Sequence, residues 1–163
     1  MSDLTAEYLR EALHYEPETG IFTWRVPHQK SKVGDVAGSL RPDSYRQIGI
    51  KGRLYLAHRL AILYVHGRFP AVQTDHRNGQ RNDNRLANLR EVSGSGNKQN
   101  QRKAHLNNTS GLLGVSWDAR NKAWRAQIMV NGKQINLGNF PAAESAHTAY
   151  LRAKRELHAT CTI

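Results

Sequence analysis

Asp75 and His76 stand side by side, Asn88 follows His76 by twelve residues, and Asn97 follows it by twenty-one. A carboxylate and an amide oxygen are hard donors, better suited to Mg²⁺ or Mn²⁺ than to Zn²⁺. An imidazole left off the metal can take a proton from water near neutral pH. The set therefore points to hydrolysis assisted by one divalent ion, with Asp75 and Asn97 as ligands and His76 as the base. Asn88 closes the polar stretch 78–88, where a loop re-enters a strand. A structural zinc site built on Asp75, His76 and His105 is a poor alternative, because no cysteine or histidine pair at finger spacing accompanies them.

Charge says what such a site would act on. The chain has 163 residues, with 24 Lys and Arg against 13 Asp and Glu. Residues 1–101 hold 15 basic and 10 acidic side chains, net +5, and residues 102–163 hold 9 and 3, net +6. Both parts are basic, the second more densely, which fits a polyanion along the whole chain. Cys161 is the only cysteine, so no disulfide framework forms within one chain, and a reducing, cytoplasmic setting is expected. No apolar run approaches membrane-spanning length, and no secretory leader opens the sequence.

The elements that must position these residues read as α+β. Residues 4–15 have helical periodicity behind a cap at Asp3, and 21–26 alternate as a strand with Phe22, Trp24 and Val26 on one side. Trp24 is assigned to the core on that alternation. Residues 27–44 are polar and rich in Gly, Lys and Ser, which predicts a loop. Strands at 45–50 and 53–57 flank the turn Lys51-Gly52, and a helix over 58–66 ends at Gly67. His58 and His66 are assigned structural or phosphate-contacting roles. Strands at 72–77 and 89–93 enclose the 78–88 loop. A helix capped within 93–95 then carries Asn97, Asn100 and Arg102. Residues 102–109, with Lys103 and His105, read as a basic linker.

This order, with its signature residues His76, Asn88 and Asn97, resembles the HNH nuclease family in its H-N-N form, seen among phage and homing endonucleases. The likeness spans roughly residues 45–101. It implies a ββα-metal fold and a divalent-metal-dependent cut of a DNA phosphodiester, leaving 5′-phosphate and 3′-hydroxyl ends. It also implies one Mg²⁺ or Mn²⁺ per active site, a nick per monomer, and a setting in phage genomes or mobile elements. The partner expected is double-stranded DNA, with no membrane and no small-molecule cofactor, acted on by a monomer or weak dimer in the cytoplasm, that of the host cell if the chain is phage-encoded. The alternative is a non-catalytic DNA-binding protein that keeps the HNH unit as a scaffold.

Residues 110–163 form a second pattern. Strands are predicted at 113–118, 123–130 and 133–139, the last two joined at Asn131-Gly132, followed by an Ala-rich helix over 142–159. Trp124, Ala126, Ile128 and Val130 alternate with Arg125, Gln127 and Met129, so a helix-covered apolar face opposes a polar one. The stretches Gly114-Val115-Ser116-Trp117, Trp124-Arg125-Ala126-Gln127-Ile128 and Leu137-Gly138-Asn139-Phe140 resemble the plant ethylene-response-factor (AP-two) DNA-binding domain. That resemblance places Ser116, Arg125, Gln127, Gln134, Asn136 and Asn139 toward the DNA groove, where Arg suits guanine and Gln or Asn suits adenine. Leu113, Ser116 and Asp118 stand where the plant domains favour arginine, so the plant target sequence does not carry over. The organisation expected is a nuclease domain over 1–101, the linker 102–109, and a three-stranded antiparallel sheet packed on one helix over 110–163.

Overall fold

The computed structural model describes residues 4–101, 104, 108–159 and 161–162, with Ser95 as backbone alone. The chain divides into two compact units, Met1–Ser93 and Gly94–Ile163.

The first unit opens with α1, Ala6–Ala12, whose cap is Thr5: its hydroxyl accepts from the Tyr8 N–H at 3.3 Å. The cap expected at Asp3 lies outside the described residues. The helix expected over 4–15 is cut short, because Leu13–Glu16 is a strand, β1, paired antiparallel with β2, Ile21–Trp24. Burial explains the switch. Leu13 and Tyr15 are both buried, and residues two apart share a side only in a strand. The Tyr15 ring stacks on Phe22 at 4.6 Å, which holds the hairpin together.

β3 (Ser39–Leu40), β4 (Arg46–Ile50) and β5 (Arg53–Leu56) form an antiparallel sheet in that order. β3 lies inside the stretch expected to be loop. It joins the sheet through backbone bonds alone, and both its residues are exposed, so no apolar alternation announces it. α2, Ala57–His66, follows and ends at Gly67. Leu9, Leu13, Phe22, Ile48, Ile50 and Leu60 make the core beneath these elements. β6 (Gln73–His76) and β7 (Leu89–Val92) then pair antiparallel, with Asp75 opposite Arg90 and His76 opposite Leu89.

One glycine fixes how the β1–β2 turn meets the loop between β6 and β7. Gly20 has φ +74°, and a Cβ there would lie 2.4 Å from both the Arg85 nitrogen and the Asn84 carbonyl carbon. Only a residue without a side chain permits that approach. The Leu86 N–H donates to the Pro17 carbonyl at 3.0 Å across the same contact.

The second unit begins with α3, Gly94–Gln99; Ser93 precedes this helix and Ser95 lies within it. Arg102, Lys103, His105 and Asn107 of the expected linker lie outside the described residues. β8 (Val115–Asp118), β9 (Ala123–Val130) and β10 (Lys133–Phe140) form an antiparallel sheet with β9 central. α4, Ala143–Leu157, packs on it: Ala146 meets Val115 and Ala126, while Tyr150 and Ala153 meet Ile128. No helix among the described residues is long and apolar enough to cross a membrane.

Candidate active site

The β6–β7 pair sets two chemical groups next to each other in sequence but gives them different partners. His76, the last residue of β6, is 3% exposed. Its Nε2 lies 3.2 Å from Oδ1 of Asn84, itself 2% exposed. The Asn84 amide nitrogen donates to the Asn82 carbonyl at 3.4 Å, which turns Oδ1 toward the ring. An amide oxygen only accepts, so this contact suits the tautomer that carries its hydrogen on Nε2. Burial, above all, lowers the His76 pKa from the ordinary 6.5; Asn84, Asp75 and Asp83 oppose that, and Arg81 adds to it. The ring is therefore neutral at neutral pH, the state a base requires.

Two aromatic side chains brace it. His58 is 5% exposed and packs edge-on against His76, ring centroids 5.1 Å apart. Tyr45 lies 5.2 Å from His58 and 5.9 Å from His76. Burial, chiefly, drives the His58 pKa down to about 3, with His76 and Arg59 adding to the effect. So deep a ring is packing rather than a phosphate contact. His66, at the exposed end of α2, takes no part in this cluster.

The loop that carries Asn84 is tied from several sides. Asn88 accepts from the Asn78 N–H at 3.0 Å and donates from Nδ2 to the Asp83 carbonyl at 2.8 Å, so one amide closes the loop at both ends. Asp83 accepts from Asn78 at 2.6 Å and from Arg85 at 2.8 and 2.6 Å. Those bonds, Arg85 foremost, hold its carboxyl at a pKa of about 2. The Tyr15 hydroxyl, from β1, donates to the Asn84 carbonyl at 2.7 Å. The histidine is thus oriented by Asn84, and Asn84 by a loop that the N-terminal hairpin props.

Asp75 takes two hydrogen bonds on one oxygen, from Arg90 Nε at 3.0 Å and Nη2 at 2.8 Å, in a pair that is mostly buried. Among the described residues no three His, Cys, Asp or Glu side chains gather as a metal cage. Mg²⁺ needs no such cage, since it keeps most of its waters and takes one or two carboxylates plus substrate oxygens. Asp75 has the donor chemistry for that sparse mode. Asn97 stands half-buried on α3, in the second unit. Asn100, near it in sequence, is buried and accepts a hydrogen bond from the Thr162 hydroxyl at 2.5 Å.

In the second unit the register collects the polar residues. Ser116 pairs with Arg125 and Arg125 with Asn139, Gln127 pairs with Asn136, and Gln134 pairs with Met129. Paired residues share a face, and this face is opposite the one where Ala126 and Ile128 meet α4. Asn136 and Asn139 are three apart and would face opposite ways in a regular strand. A register shift between Asn136 and Gly138 brings both to the same side. Arg125 donates to the buried carboxylate of Asp118, and Gln134 donates to Gln127. Met129, 55% exposed, completes the face.

Sequence spacing alone did not single out Asn84, Arg90, Tyr45, Arg81 or Met129. Asn84 sits among turn-forming residues, and only its burial separates it from them.

Residues 55–99 match the family model described as HNH endonuclease. That span takes in His58, Asp75, His76, Asn84, Asn88 and Asn97, and the chain carries an HNH endonuclease domain there. It is 37% identical over 84 residues to "Protein 3.8" of Escherichia phage T7, an alignment covering 52% of this chain and 68% of that one. A solved structure titled "DNA binding and cleavage by the HNH homing endonuclease I-HmuI" aligns with 82% of this chain and 74% of its own, at 23% identity and a TM-score of 0.44.

Proposed function

We propose that the chain is a metal-dependent DNA endonuclease whose general base is His76. The observation that carries this reading is the bond between His76 Nε2 and Asn84 Oδ1, inside the stretch that matches the HNH family. It suits a neutral imidazole protonated on Nε2, and the residue before it, Asp75, is a carboxylate of the right kind for Mg²⁺ or Mn²⁺. Asp75 would hold the ion; Asn97, the third signature position, is assigned to it on the family resemblance alone. When bound, such an ion supplies neutralisation of the charge that builds on the phosphorus oxygens and the leaving oxygen.

The chain's own residues do the rest. His76 takes a proton from water as the water oxygen bonds to phosphorus, and the bond to the 3′ oxygen breaks as that oxygen takes a proton from solvent water. This leaves 5′-phosphate and 3′-hydroxyl ends. Asn84 keeps the imidazole in the required tautomer and stabilises the imidazolium as it forms. Asn88 holds the loop in which Asn84 sits. With one such site per chain, a monomer nicks one strand.

Residues 1–101 act as the nuclease domain in this reading, and 110–163 as a DNA-binding domain of AP-two type reached through the 102–109 linker. The aligned side chains of Ser116, Arg125, Gln127, Gln134, Asn136 and Asn139 support a groove-reading face, since arginine and amides are the groups that pair with base edges.

The test is plasmid cleavage by the wild type and His76→Ala, each with Mg²⁺, Mn²⁺ or EDTA. Expected is metal-dependent conversion of supercoiled to open-circle DNA by the wild type alone. Full activity in the variant refutes His76 as the base, and linear product from the outset refutes nicking. DNA binding without cleavage by either protein favours the scaffold reading.

A further inference from the structure

We propose that Arg81 is the phosphate clamp of this site, held in position by Tyr45. The proposal rests on the nuclease reading above. The Arg81 guanidinium lies over the Tyr45 ring at 5.1 Å, and its Nη1 donates to the Asp43 carbonyl at 3.2 Å. The same ring is 5.9 Å from the His76 ring. Tyr45 therefore bridges a cation and the imidazole assigned as the base. Arg81 is also one of the charges that bear on His76.

Arg81 differs from Arg90, Arg85 and Arg68 in having no carboxylate partner among the described residues, and from the other such arginines in lying over Tyr45. Arg90 is paired with Asp75, Arg85 with Asp83, and Arg68 with Glu91. Among the described residues no acid pairs with Arg81, which is exposed and touches only a carbonyl and a ring. Its charge is thus uncancelled while its position is fixed, and stacking on an aromatic face orients the guanidinium plane.

Hydrolysis of a phosphodiester needs that combination. Attack by water places added negative charge on the two non-bridging oxygens, within reach of whatever stands beside the base. A guanidinium offers parallel N–H groups to such oxygens and binds them more strongly as their charge grows. One N–H of Arg81 is engaged by Asp43, and the others remain for phosphate. A surface arginine resting on any tyrosine would be unremarkable; this tyrosine is packed against both buried histidines of the site.

The experiment is single-turnover nicking of supercoiled plasmid by the full chain, with affinity measured separately by gel shift on a short duplex in EDTA. Wild type, His76→Ala, Arg81→Ala, Arg81→Lys and Tyr45→Leu are compared. Arg81→Ala should slow cleavage by about 10²–10³-fold, as loss of one transition-state donor does, while affinity changes little. Arg81→Lys should recover part of the rate, since it keeps the charge and loses the fork. Tyr45→Leu should slow cleavage in the same direction. Methylguanidinium added to Arg81→Ala should restore rate, a response no fold defect would give. Cleavage by Arg81→Ala within about threefold of wild type overturns the proposal, as does a rate loss that only tracks lost affinity and is not rescued. If the wild type cuts no DNA, the nuclease reading itself falls, which the Arg81 variants alone could not bring about.

Discussion

His58 should make the protein acid-labile, and its share of that lability can be worked out. In the unfolded chain its imidazole takes a proton near pH 6.5, whereas in the fold burial holds the pKa at about 3. A base whose pKa is depressed by folding supports the fold above its unfolded pKa. The support is lost as pH falls from about 6.5 toward 3, because the unfolded chain gains a proton that the folded chain refuses. The slope tends to about 1.4 kcal/mol per pH unit, so between pH 6.5 and 4.5 the loss from this one group is about 2 kcal/mol. Against a total of about 5–15 kcal/mol for a typical domain, that is readily measured. The assay is urea unfolding at pH 6.5 and 4.5 of the wild type and His58→Phe, which keeps a ring and removes the titration. Comparing each protein with itself across pH sets aside the packing cost of the substitution. The wild type should lose about 2 kcal/mol more than the variant on acidification. Equal losses would mean that burial does not depress the His58 pKa in the fold.

Three further outcomes are expected. Asn84→Ala should slow plasmid nicking by about 10–100-fold, the usual effect of removing a group that orients an active-site ligand; an unchanged rate would remove Asn84 from the site. The acid limb of the cleavage rate should lie below pH 6.5, since burial lowers the His76 pKa and only the neutral ring can accept a proton; a limb centred above 6.5 contradicts that burial. Asp118→Asn keeps an acceptor for the Arg120 and Asn121 N–H groups but loses the charge that pairs with Arg125. It should lower the melting temperature and loosen base preference in selection from a randomised duplex pool, whereas an identical selected sequence would show that the pair does not aim Arg125.

What the sequence made legible depended on whether a residue's role is local. The positions of His76 and Asn88 follow from spacing around a polar loop, and the alternation on β9 predicts which side chains lie opposite α4. β1 was not legible, because Tyr8, Leu9, Ala12 and Leu13 carry helical periodicity up to the residue where Phe22, on the next strand, draws Tyr15 into a hairpin. β3 has no side-chain signature at all. Asn84 reads as one more turn residue among Asn82 and Asp83. Its role exists only because Tyr15 and Gly20, remote in sequence, close over the loop and leave its amide facing His76. Asn139 joins Asn136 through a register shift whose origin is backbone geometry rather than residue type.

The close approach at Gly20 has a consequence for the genetics of such a protein. If the chain cuts DNA as proposed, it threatens the cell that makes it, and cells under that threat survive by inactivating the gene. Lesions at His76 would be an obvious escape. Gly20→Ala or Gly20→Asp should be another, since any Cβ there collides with the backbone of Asn84 and Arg85 and displaces the loop that orients the imidazole. Survivors of overexpression should therefore carry changes in the first hairpin as well as around His76. Inert copies would then look intact to anyone who inspects only the signature residues.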